Sequence, residues 1–551
     1  MTSASDEKSD ADLCQTTGFV QLPRRQVAVS MTCVNLVMFL AALGQTTVAT
    51  ALPSIVADLG GFDRYVWIAT AYMVAATVTA PIAGGLSDLY GRKPFFIFGL
   101  VVFIVSSALL GVSQSMSAVI AFRAVQGIGG GLVMTASLVS VADLYPPEER
   151  GKYQGSLAGV FGVASIVGPV VGGYITHHFH WNWIFLLNVI FALPILLLII
   201  WVFPRVIPNI TTRKPDYLGM ISLAVAVVPV LLALSFGGVQ YAWSSPQCLG
   251  LMAFGLAMAV AFVVVESRAE SPIMSLRLYT DRFVASAMMV MLLTGFILYG
   301  SLLFLPLFFQ GVLGVSAAAS GRLLVPMLPG IVGGAILFGL LLSRTGGRFW
   351  LHVLVTTTLA AVGMYLMSTM NEATGVFRIV SYLVLAGVGI GGTLTVLSAA
   401  IQNSVPFSLV GAGTSASQFW RSVGGMMGLA VMGAVLVQSF RLKVEARVPD
   451  EVRAALPAGL LDSVKENPQA LLNPAEAEAL REVLAEAGSD DSLIIDSLLD
   501  SLNAALADGL SNVFTVLAVV ATLSCAGALL LRVQTGTDNR PNTLVSQRRF
   551  V

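Results

Sequence analysis

Residues 84–93 read Gly84-Gly-Leu-Ser-Asp88-Leu-Tyr-Gly91-Arg92-Lys93 and begin where an apolar run over about 65–86 ends. Small residues, one acid and a closing pair of bases are typical of a short charged turn between two membrane helices. Gly84 predicts a close contact between two helices, which we expect to be spans 2 and 11 of the set given below. Asp88 can meet a helix N-terminus or a base, and Arg92 and Lys93 are expected to hold the cytoplasmic face.

The composition supports a membrane protein. Of 551 residues, 56% are hydrophobic and 11% are charged, whereas a soluble chain is typically about 25% charged. The formal net charge is zero, which argues against a nucleic-acid-binding surface. The four cysteines are scattered without metal spacing, and they are Cys14, Cys33, Cys248 and Cys525.

Apolar runs of about 20 residues predict membrane-spanning helices. We place fourteen, numbered 1 to 14 in chain order, at about 27–52, 65–86, 95–113, 117–141, 153–176, 183–204, 217–236, 248–265, 284–310, 320–342, 350–369, 378–401, 413–440 and 511–532. The fold class is therefore an all-α integral membrane protein.

The bases are sorted between the two sets of short loops. One set holds Arg92, Lys93, Arg150, Lys152, Arg205, Arg213, Lys214, Arg268, Arg277, Arg282, Arg344 and Arg348, and the tails add Arg24, Arg25, Arg548 and Arg549. The opposite short loops hold little beyond Arg64 and Arg378. Because cytoplasmic loops carry the excess of Lys and Arg, both termini are expected in the cytoplasm of a multi-pass protein of the plasma membrane.

The segment 441–510 has a composition of its own. It holds fourteen of the thirty acids and six of the thirty bases, and the predicted topology places it outside. It is either a disordered acidic spacer or two short surface helices. Asn473-Pro474 is a good helix start and Gly488 a stop. A second stripe, Ile495, Leu498, Leu499, Leu502 and Leu506, runs into the last span.

A weak internal repeat predicts two bundles. After span 10 the chain reads Gly339-Leu-Leu-Leu-Ser343-Arg-Thr-Gly346-Gly347-Arg348, so two glycines seven apart and a base recur as at 84–93. We expect tails at 1–26 and 533–551, six-helix bundles at 27–206 and 284–532, and two linker helices with their loops at 207–283. Duplicated bundles around a midplane site are a common transporter design.

Several motifs together resemble the major facilitator superfamily. The loop at 84–93 resembles its gating latch, and Asp143 resembles an acidic partner of that latch. Span 4 carries Ala121-Phe-Arg123-Ala-Val-Gln126-Gly127-Ile-Gly129-Gly130-Gly131, which resembles the motif whose Arg handles protons or substrate. The alternative is a structural Arg bonded to backbone carbonyls. An intramembrane Arg is a functional hypothesis by default.

Two further stretches resemble its fourteen-helix drug/proton antiporter family, which includes the EmrB and QacA types. Span 5 carries Gly155 and then Gly168-Pro169-Val-Val-Gly172-Gly173, similar to the antiporter hinge motif, with Ala164 in place of one Gly. Otherwise these glycines are a general packing seam. Span 13 carries Ser417-Gln418-Phe419-Trp420-Arg421-Ser422-Val-Gly424-Gly425. Trp181-Asn182-Trp183 and Asp216-Tyr-Leu-Gly219 agree with the same family.

One departure concerns coupling. Span 1 reads Leu43-Gly44-Gln45-Thr46, and the family usually has Asp at the position of Gly44. The other spans hold no acid deep inside them, so the residue that would couple transport to protons is in doubt. Gly44, Gln45, Arg123, Gln126 and Arg421 are the candidates for substrate binding or coupling.

The sequence contains no Walker loop, metal-ligand cluster or catalytic-triad spacing, so we expect a carrier without a cofactor or a metal and not an enzyme. Its expected partners are a small-molecule substrate, membrane lipids and, if coupling exists, protons; a monomer is expected. The first hypothesis is an exporter of small hydrophobic or amphipathic compounds. The alternatives are an exporter of a lipid or lipid-like anion, and a transporter-like receptor that does not transport.

Overall fold

The computed structural model describes residues 22–60, 64–204, 215–238, 240–315, 317–345, 348–448 and 492–535. In these ranges fourteen helices are long and apolar enough to cross a membrane, which confirms the predicted all-α membrane fold. They are α1 (Arg24–Leu59), α2 (Tyr65–Tyr90), α3 (Lys93–Gly111), α4 (Met116–Leu144), α5 (Arg150–His178), α6 (Trp183–Val202), α7 (Tyr217–Phe236), α8 (Pro246–Arg268), α9 (Arg282–Gly311), α10 (Ala317–Leu324 continued by Met327–Arg344), α11 (Phe349–Ser368), α12 (Val376–Ser404), α13 (Val410–Arg447) and α14 (Ser492–Thr535).

Large apolar side chains cover the outer surface of the helices. Phe98, Trp201 and Phe377 are 60%, 83% and 84% exposed. In water this much exposed aromatic surface would be unfavourable, so it is the surface expected to face lipid.

Local signals begin and end the helices. The side chains of Ser115, Ser245 and Asp281 accept hydrogen bonds from backbone N–H groups in the first turns of α4, α8 and α9. These residues satisfy donors that a helix start leaves unpaired. Gly91 ends α2 with φ of 80°, a left-handed conformation that glycine adopts without a steric penalty.

The chain forms two six-helix bundles, α1–α6 and α9–α14. Phe96 and Phe103 of α3 are buried in the core of the first bundle. In the second bundle, Phe514 of α14 is fully buried and packs edge-on against Phe308 of α9, with 6.2 Å between the ring centroids.

Of the two inserted helices, α7 lies against both bundles. Leu231 of α7 packs in one cluster with Val74 of α2 and Met426 of α13. Trp67 of α2 also packs against Phe236 at the end of α7, with ring centroids 4.3 Å apart and the rings tilted by 38°. Helix α7 therefore bridges the junction between the first and the second bundle.

The last two helices are longer than the spans predicted for them. The helix α14 begins at Ser492 rather than near 511, because the predicted stripe ending in Leu502 and Leu506 continues directly into the span and both leucines are buried. Arg447 at the end of α13 forms an ion pair with Asp508, 2.7 Å away. The helix start predicted at 473–474 lies outside the described residues.

Candidate functional site

The basic end of the molecule is defined here as the end where α2 meets α3, α4 meets α5 and α12 meets α13. At this end Asp88, near the end of α2, is buried and accepts hydrogen bonds from two backbone N–H groups of α13. The donors are Gly411 at 3.0 Å and Ala412 at 2.8 Å. Because a helix N-terminus carries unpaired N–H groups and a partial positive charge, it is a favourable partner for a carboxylate. Asp88 therefore joins the first bundle to the second.

Arg92 holds Asp88 in place from the other side. Its guanidinium pairs with Asp88 at 2.7 Å and with Asp143 at 2.9 Å, and it also donates to Ser87 at 2.7 Å. Burial lowers the pKa of Arg92, but the carboxylates of Asp143 and Asp88 more than offset this effect and hold it above its ordinary value. The structure thus brings together the acid, the base and the second acid predicted for the latch.

Gly84 makes the close approach that was predicted, but with a different helix. A Cβ at position 84 would lie 2.5 Å from the carbonyl oxygen of Gly411 and closer still to the side chain of Ser415. Both partners belong to α13. The expected contact with span 11 is wrong: with two helices inserted before the second bundle, the N-terminus that faces α2 is that of α13.

Lys93 does not take part in this network of Asp88, Arg92 and Asp143. Its ammonium group donates to the carbonyl oxygens of Ile200 and Phe203 at 2.8 and 2.7 Å. These carbonyls lie at the C-terminus of α6, where a cation is favourable. Lys93 therefore secures α3 to α6 within the first bundle.

Arg150, at the start of α5, makes a second contact between the bundles. It donates to the Gln402 carbonyl at 3.0 Å and to the Asn403 side chain at 2.9 Å, both at the end of α12. Asn403 in turn donates to the carbonyl of Pro147 at 3.1 Å. Sequence reasoning treated Arg150 only as a loop base, although its position at the start of a glycine-rich span was an available signal.

The internal repeat is visible in the glycines of this second contact. A Cβ at Gly151 of α5 would lie 3.1 Å from the carbonyl oxygen of Gly339 on α10, as Gly84 of α2 meets α13. Ser343 replaces the acid in the second copy, and Arg348 lies at the start of α11. The second copy thus preserves the close packing without the buried acid.

A cavity lies between the bundles, next to this closed end. It measures about 490 Å³ with its solvent-open part included. Its walls come from α1, α2, α4, α5, α9 and α13, and they comprise Gln45, Tyr72, Met73, Ala76, Thr77, Ala80, Gly131, Met134, Thr135, Phe161, Tyr299, Gln418, Arg421 and Ser422.

The cavity and the latch follow one another along the same two helices. On α2, Ala80 lines the cavity and Asp88 lies eight residues further, about 12 Å at 1.5 Å per residue. On α13, Gly411 lies at the latch and Gln418 lines the cavity. The network of Asp88, Arg92 and Asp143 therefore lies between the cavity and the basic end.

Arg421 is the charged residue among those lining the cavity. Its Nε is buried without a hydrogen-bond partner in the described residues, and no carboxylate there forms an ion pair with it. An unpaired charge away from bulk water is costly. An acceptor or an anion inside the cavity would reduce that cost.

Arg123 does not line the cavity, and its charge is satisfied inside the first bundle. Its guanidinium donates to the Ile68 carbonyl at 3.2 Å and to Gln126 at 2.6 Å, and it stacks on the ring of Tyr72 at 4.4 Å from the centroid. Gln126 is fully buried and donates to Ser107 at 2.7 Å. Tyr72 thus separates Arg123 and Gln126 from the cavity, as in the structural alternative.

Gly44 lies in the same layer as Arg123. The Gly44 carbonyl is 3.5 Å from Nη1 of Arg123. A Cβ at position 44 would lie 2.9 Å from the Phe103 ring and 3.3 Å from Nδ2 of Asn188, a buried amide nitrogen without a hydrogen-bond partner in the described residues. The next residue, Gln45, lines the cavity.

The glycines of α5 pack against two different helices. Gly155 faces α10, where its Cβ would lie 2.7 Å from the Ala335 carbonyl. Gly172 faces α1, where its Cβ would lie 2.7 Å from the Thr47 carbonyl, and Gly168 meets the same stretch. Gly173 has nothing within 4 Å. The change of partner occurs between Gly162, whose Cβ would contact Val332 of α10, and Gly168; Pro169 follows inside the helix.

This closed, two-bundle arrangement around a central cavity agrees with the sequence comparison. The family profile of the Major Facilitator Superfamily matches residues 34–429. The chain belongs to the major facilitator superfamily. Two relatives are from Bacillus subtilis (strain 168): the multidrug transporter protein MdtP is 35% identical over 88% of this chain and 90% of its own, and multidrug resistance protein 3 is 37% identical over 74% and 79%. Efflux pump FUS6 of Gibberella fujikuroi is 33% identical over 73% and 74%.

Solved structures of the superfamily share the fold. The human organic anion transporter MFSD10 aligns with a TM-score of 0.55 at 19% identity, over 75% of this chain and 94% of that one. The proton:xylose symporter XylE aligns with a TM-score of 0.51 at 12% identity, over 83% and 96%. At these identities the likeness concerns the fold alone. The chain therefore shares both the sequence profile and the fold of this superfamily.

Proposed function

We propose that this protein exports small amphipathic organic compounds and favours neutral and anionic ones over lipophilic cations. Arg421 carries the proposal, because it brings a positive charge without a described counter-charge to the wall of the cavity. The relatives named as multidrug transporters and efflux pumps support the direction of transport. No catalytic reaction, cofactor or metal is part of this function.

The other cavity residues support an amphipathic substrate. Phe161, Met73 and Met134 offer apolar and polarisable surface, and Gln45 and Gln418 offer amide donors and acceptors. A wall of this kind can hold an aromatic body while a few polar groups orient it. The described residues place no carboxylate on the wall that would attract a cation.

The direction of export depends on the orientation in the membrane. We propose that the basic end faces the cytoplasm of a plasma-membrane protein and that both termini lie on that side, because bases concentrate in cytoplasmic loops. The latch of Asp88 and Arg92 would then close the cytoplasmic side, so the described state is one that can release substrate outward. Contacts with membrane lipids and a monomeric state complete the proposal.

A matched set of substrates tests the proposal. The purified protein is reconstituted into liposomes, and counterflow is measured for one aromatic scaffold bearing a carboxylate or sulfonate, no charge, or a quaternary ammonium group. We expect exchange of the anionic and neutral members and little of the cationic one. Robust exchange of the ammonium member would contradict the charge preference. Exchange of none would favour a receptor that does not transport.

Arg421 also favours a second candidate, an exporter of a lipid-like anion, because a headgroup phosphate or carboxylate would satisfy the same guanidinium. Native mass spectrometry separates the two. A retained anionic lipid that is lost in Arg421→Gln, together with no exchange of the aromatic anion, would replace the first proposal with this one.

A further inference from the structure

Two carboxyl groups face each other outside the cavity, at the basic end of the linker helices. Asp216 precedes α7, and Glu266 lies near the end of α8 and is 2% exposed. Oδ2 of Asp216 and Oε2 of Glu266 are both buried, and neither has a hydrogen-bond partner in the described residues. Buried acceptors without donors are unusual, so the pair calls for a ligand.

Gly219 shows how close the two oxygens are. A Cβ at this position would lie 2.8 Å from Oε2 of Glu266 and closer still to Oδ2 of Asp216. Because both oxygens lie this close to the same hypothetical Cβ position, they are also close to each other. Gly219 supplies no side chain to separate them, and its N–H donates to the other oxygen of Asp216 at 2.8 Å.

The other oxygen of Glu266 already has a hydrogen-bond donor. Oε1 accepts a hydrogen bond from the backbone N–H of Met274 at 2.6 Å. Asp216 and Tyr279 both have an electrostatic influence at Glu266. Burial raises the pKa of Tyr279 to about 12, so this residue stays neutral and supplies no counter-charge. Two adjacent buried carboxylates repel each other when both are ionised, and this favours binding of a proton by one of them.

We propose that Asp216 and Glu266 form a proton-binding site in which one proton is shared between Oδ2 and Oε2. A shared proton supplies the missing donor and removes the repulsion between two negative charges. Among the described residues, no group of three or more His, Cys, Asp or Glu that could hold a metal ion is found, and two oxygens are few ligands for a divalent cation. The site therefore takes a proton in preference to a metal.

The loop that follows Glu266 links this site to both bundles. Its Ile273 carbonyl would lie 2.9 Å from a Cβ at Gly85 on α2, next to the latch. Tyr279 in the same loop accepts a hydrogen bond from the Trp420 indole on α13 at 2.8 Å. Loss of the proton would place two charges under this loop and weaken closure. The site thus senses pH at the basic end and does not carry protons through the cavity.

Infrared spectroscopy of the full-length protein in lipid nanodiscs tests the site directly. We expect a protonated-carboxyl band at neutral pH that disappears as the pH is raised. The band should be lost in Glu266→Gln, whose amide oxygen can still accept from Met274, and in Asp216→Asn, whose amide can donate to Glu266. Glu270→Gln removes an exposed carboxylate of the same loop and should leave the band unchanged.

Two results would overturn the proposal. One is a neutral-pH spectrum that is the same in native protein, Glu266→Gln and Asp216→Asn. The other is a band that appears only after dialysis against a chelator and salt-free buffer, which would mean that a cation occupies the pair. If one variant fails to fold, the other still decides. The readout does not depend on transport, so it stands apart from the proposed substrate class.

Discussion

The carboxylate of Asp88 accepts a hydrogen bond from the backbone N–H of Gly411 at 3.0 Å, and these residues lie 323 positions apart in the chain. The bond ties the end of α2 to the start of α13. Since an alternating-access carrier must separate its bundles at this end to admit substrate, the bond must break in each transport cycle. Its strength therefore contributes to the balance between the closed and open states.

Asp88→Asn should weaken closure of the basic end. An asparagine can accept through one oxygen only, and it leaves Arg92 paired with Asp143 alone. We expect a loss of about 1.5–3 kcal/mol of closed-state stability, the range for a hydrogen bond to a charged group. Transport should fall while folding is retained.

Labelling of a cavity cysteine measures this closure. Thr77→Cys, in a protein whose native cysteines are replaced by serine, should react with a reagent added at the basic end faster in the Asp88→Asn background. Glu149→Gln, which changes an exposed acid at the same end, serves as the control. Equal labelling and equal transport with Asp88 and with Asp88→Asn would mean that the motif serves only helix packing.

Gly84→Ala should impair transport by a steric effect alone. The added methyl group would lie 2.5 Å from the Gly411 carbonyl, a distance that backbone atoms cannot tolerate, so α2 and α13 must move apart. Gly173→Ala provides a matched control, because nothing lies within 4 Å of its Cβ. We expect transport close to native only in the control, with both variants folded by thermal-shift measurement. Similar activity in the two would show that close packing at Gly84 is not required.

Hydropathy predicted the helices well because each span must satisfy its own backbone hydrogen bonds and expose apolar side chains to lipid. Contacts between distant segments were harder. The loop at 84–93 indicated that Gly84 packs against a helix but could not say which one, because that depends on how the bundles are arranged. Arg123 and Arg421 are similar in sequence context, yet only Arg421 reaches the cavity, because Tyr72 covers the other.

Arg421→Gln should change the substrate charge preference. The variant keeps a polar side chain but loses the positive charge, so anionic substrates should bind about tenfold to a hundredfold more weakly, the equivalent of one charged hydrogen bond. Neutral substrates of the same shape should change little. Binding of an anionic and a neutral substrate to the full-length protein is measured. Arg441 is an exposed base of α13, and Arg441→Gln serves as the control. An equal loss for both substrates would indicate a packing role for Arg421.

The orientation can be tested independently of transport. If the basic end is cytoplasmic, epitope tags at residues 1 and 551 should be protected from antibody in intact cells, and a tag near 459 should be accessible. Permeabilised cells, in which all three tags should bind antibody, control for expression. Protection of the tag near 459 would reverse the proposed topology. The latch would then lie on the outer side of the membrane.

The last prediction concerns Gly44, which stands where the family usually has an acid. The Gly44 carbonyl lies 3.5 Å from Arg123 Nη1, and a Cβ there would lie 3.3 Å from the unpaired Nδ2 of Asn188. An aspartate would therefore meet a hydrogen-bond donor and a nearby positive charge, provided that the Phe103 ring, 2.9 Å from that Cβ, shifts. Such a carboxylate could bind and release a proton as its contact with the base changes.

We expect transport by the native protein to depend little on a proton gradient and Gly44→Asp to introduce that dependence. Uptake into proteoliposomes is compared with the pH held constant at the basic end and varied on the opposite side, so that titration of Asp216 and Glu266 does not contribute. Gly44→Asn has nearly the same shape without a titratable group, and it should respond no more than the native protein does. If the native protein already accumulates substrate in response to the gradient, another residue carries the proton. The glycine at position 44 then does not prevent proton coupling.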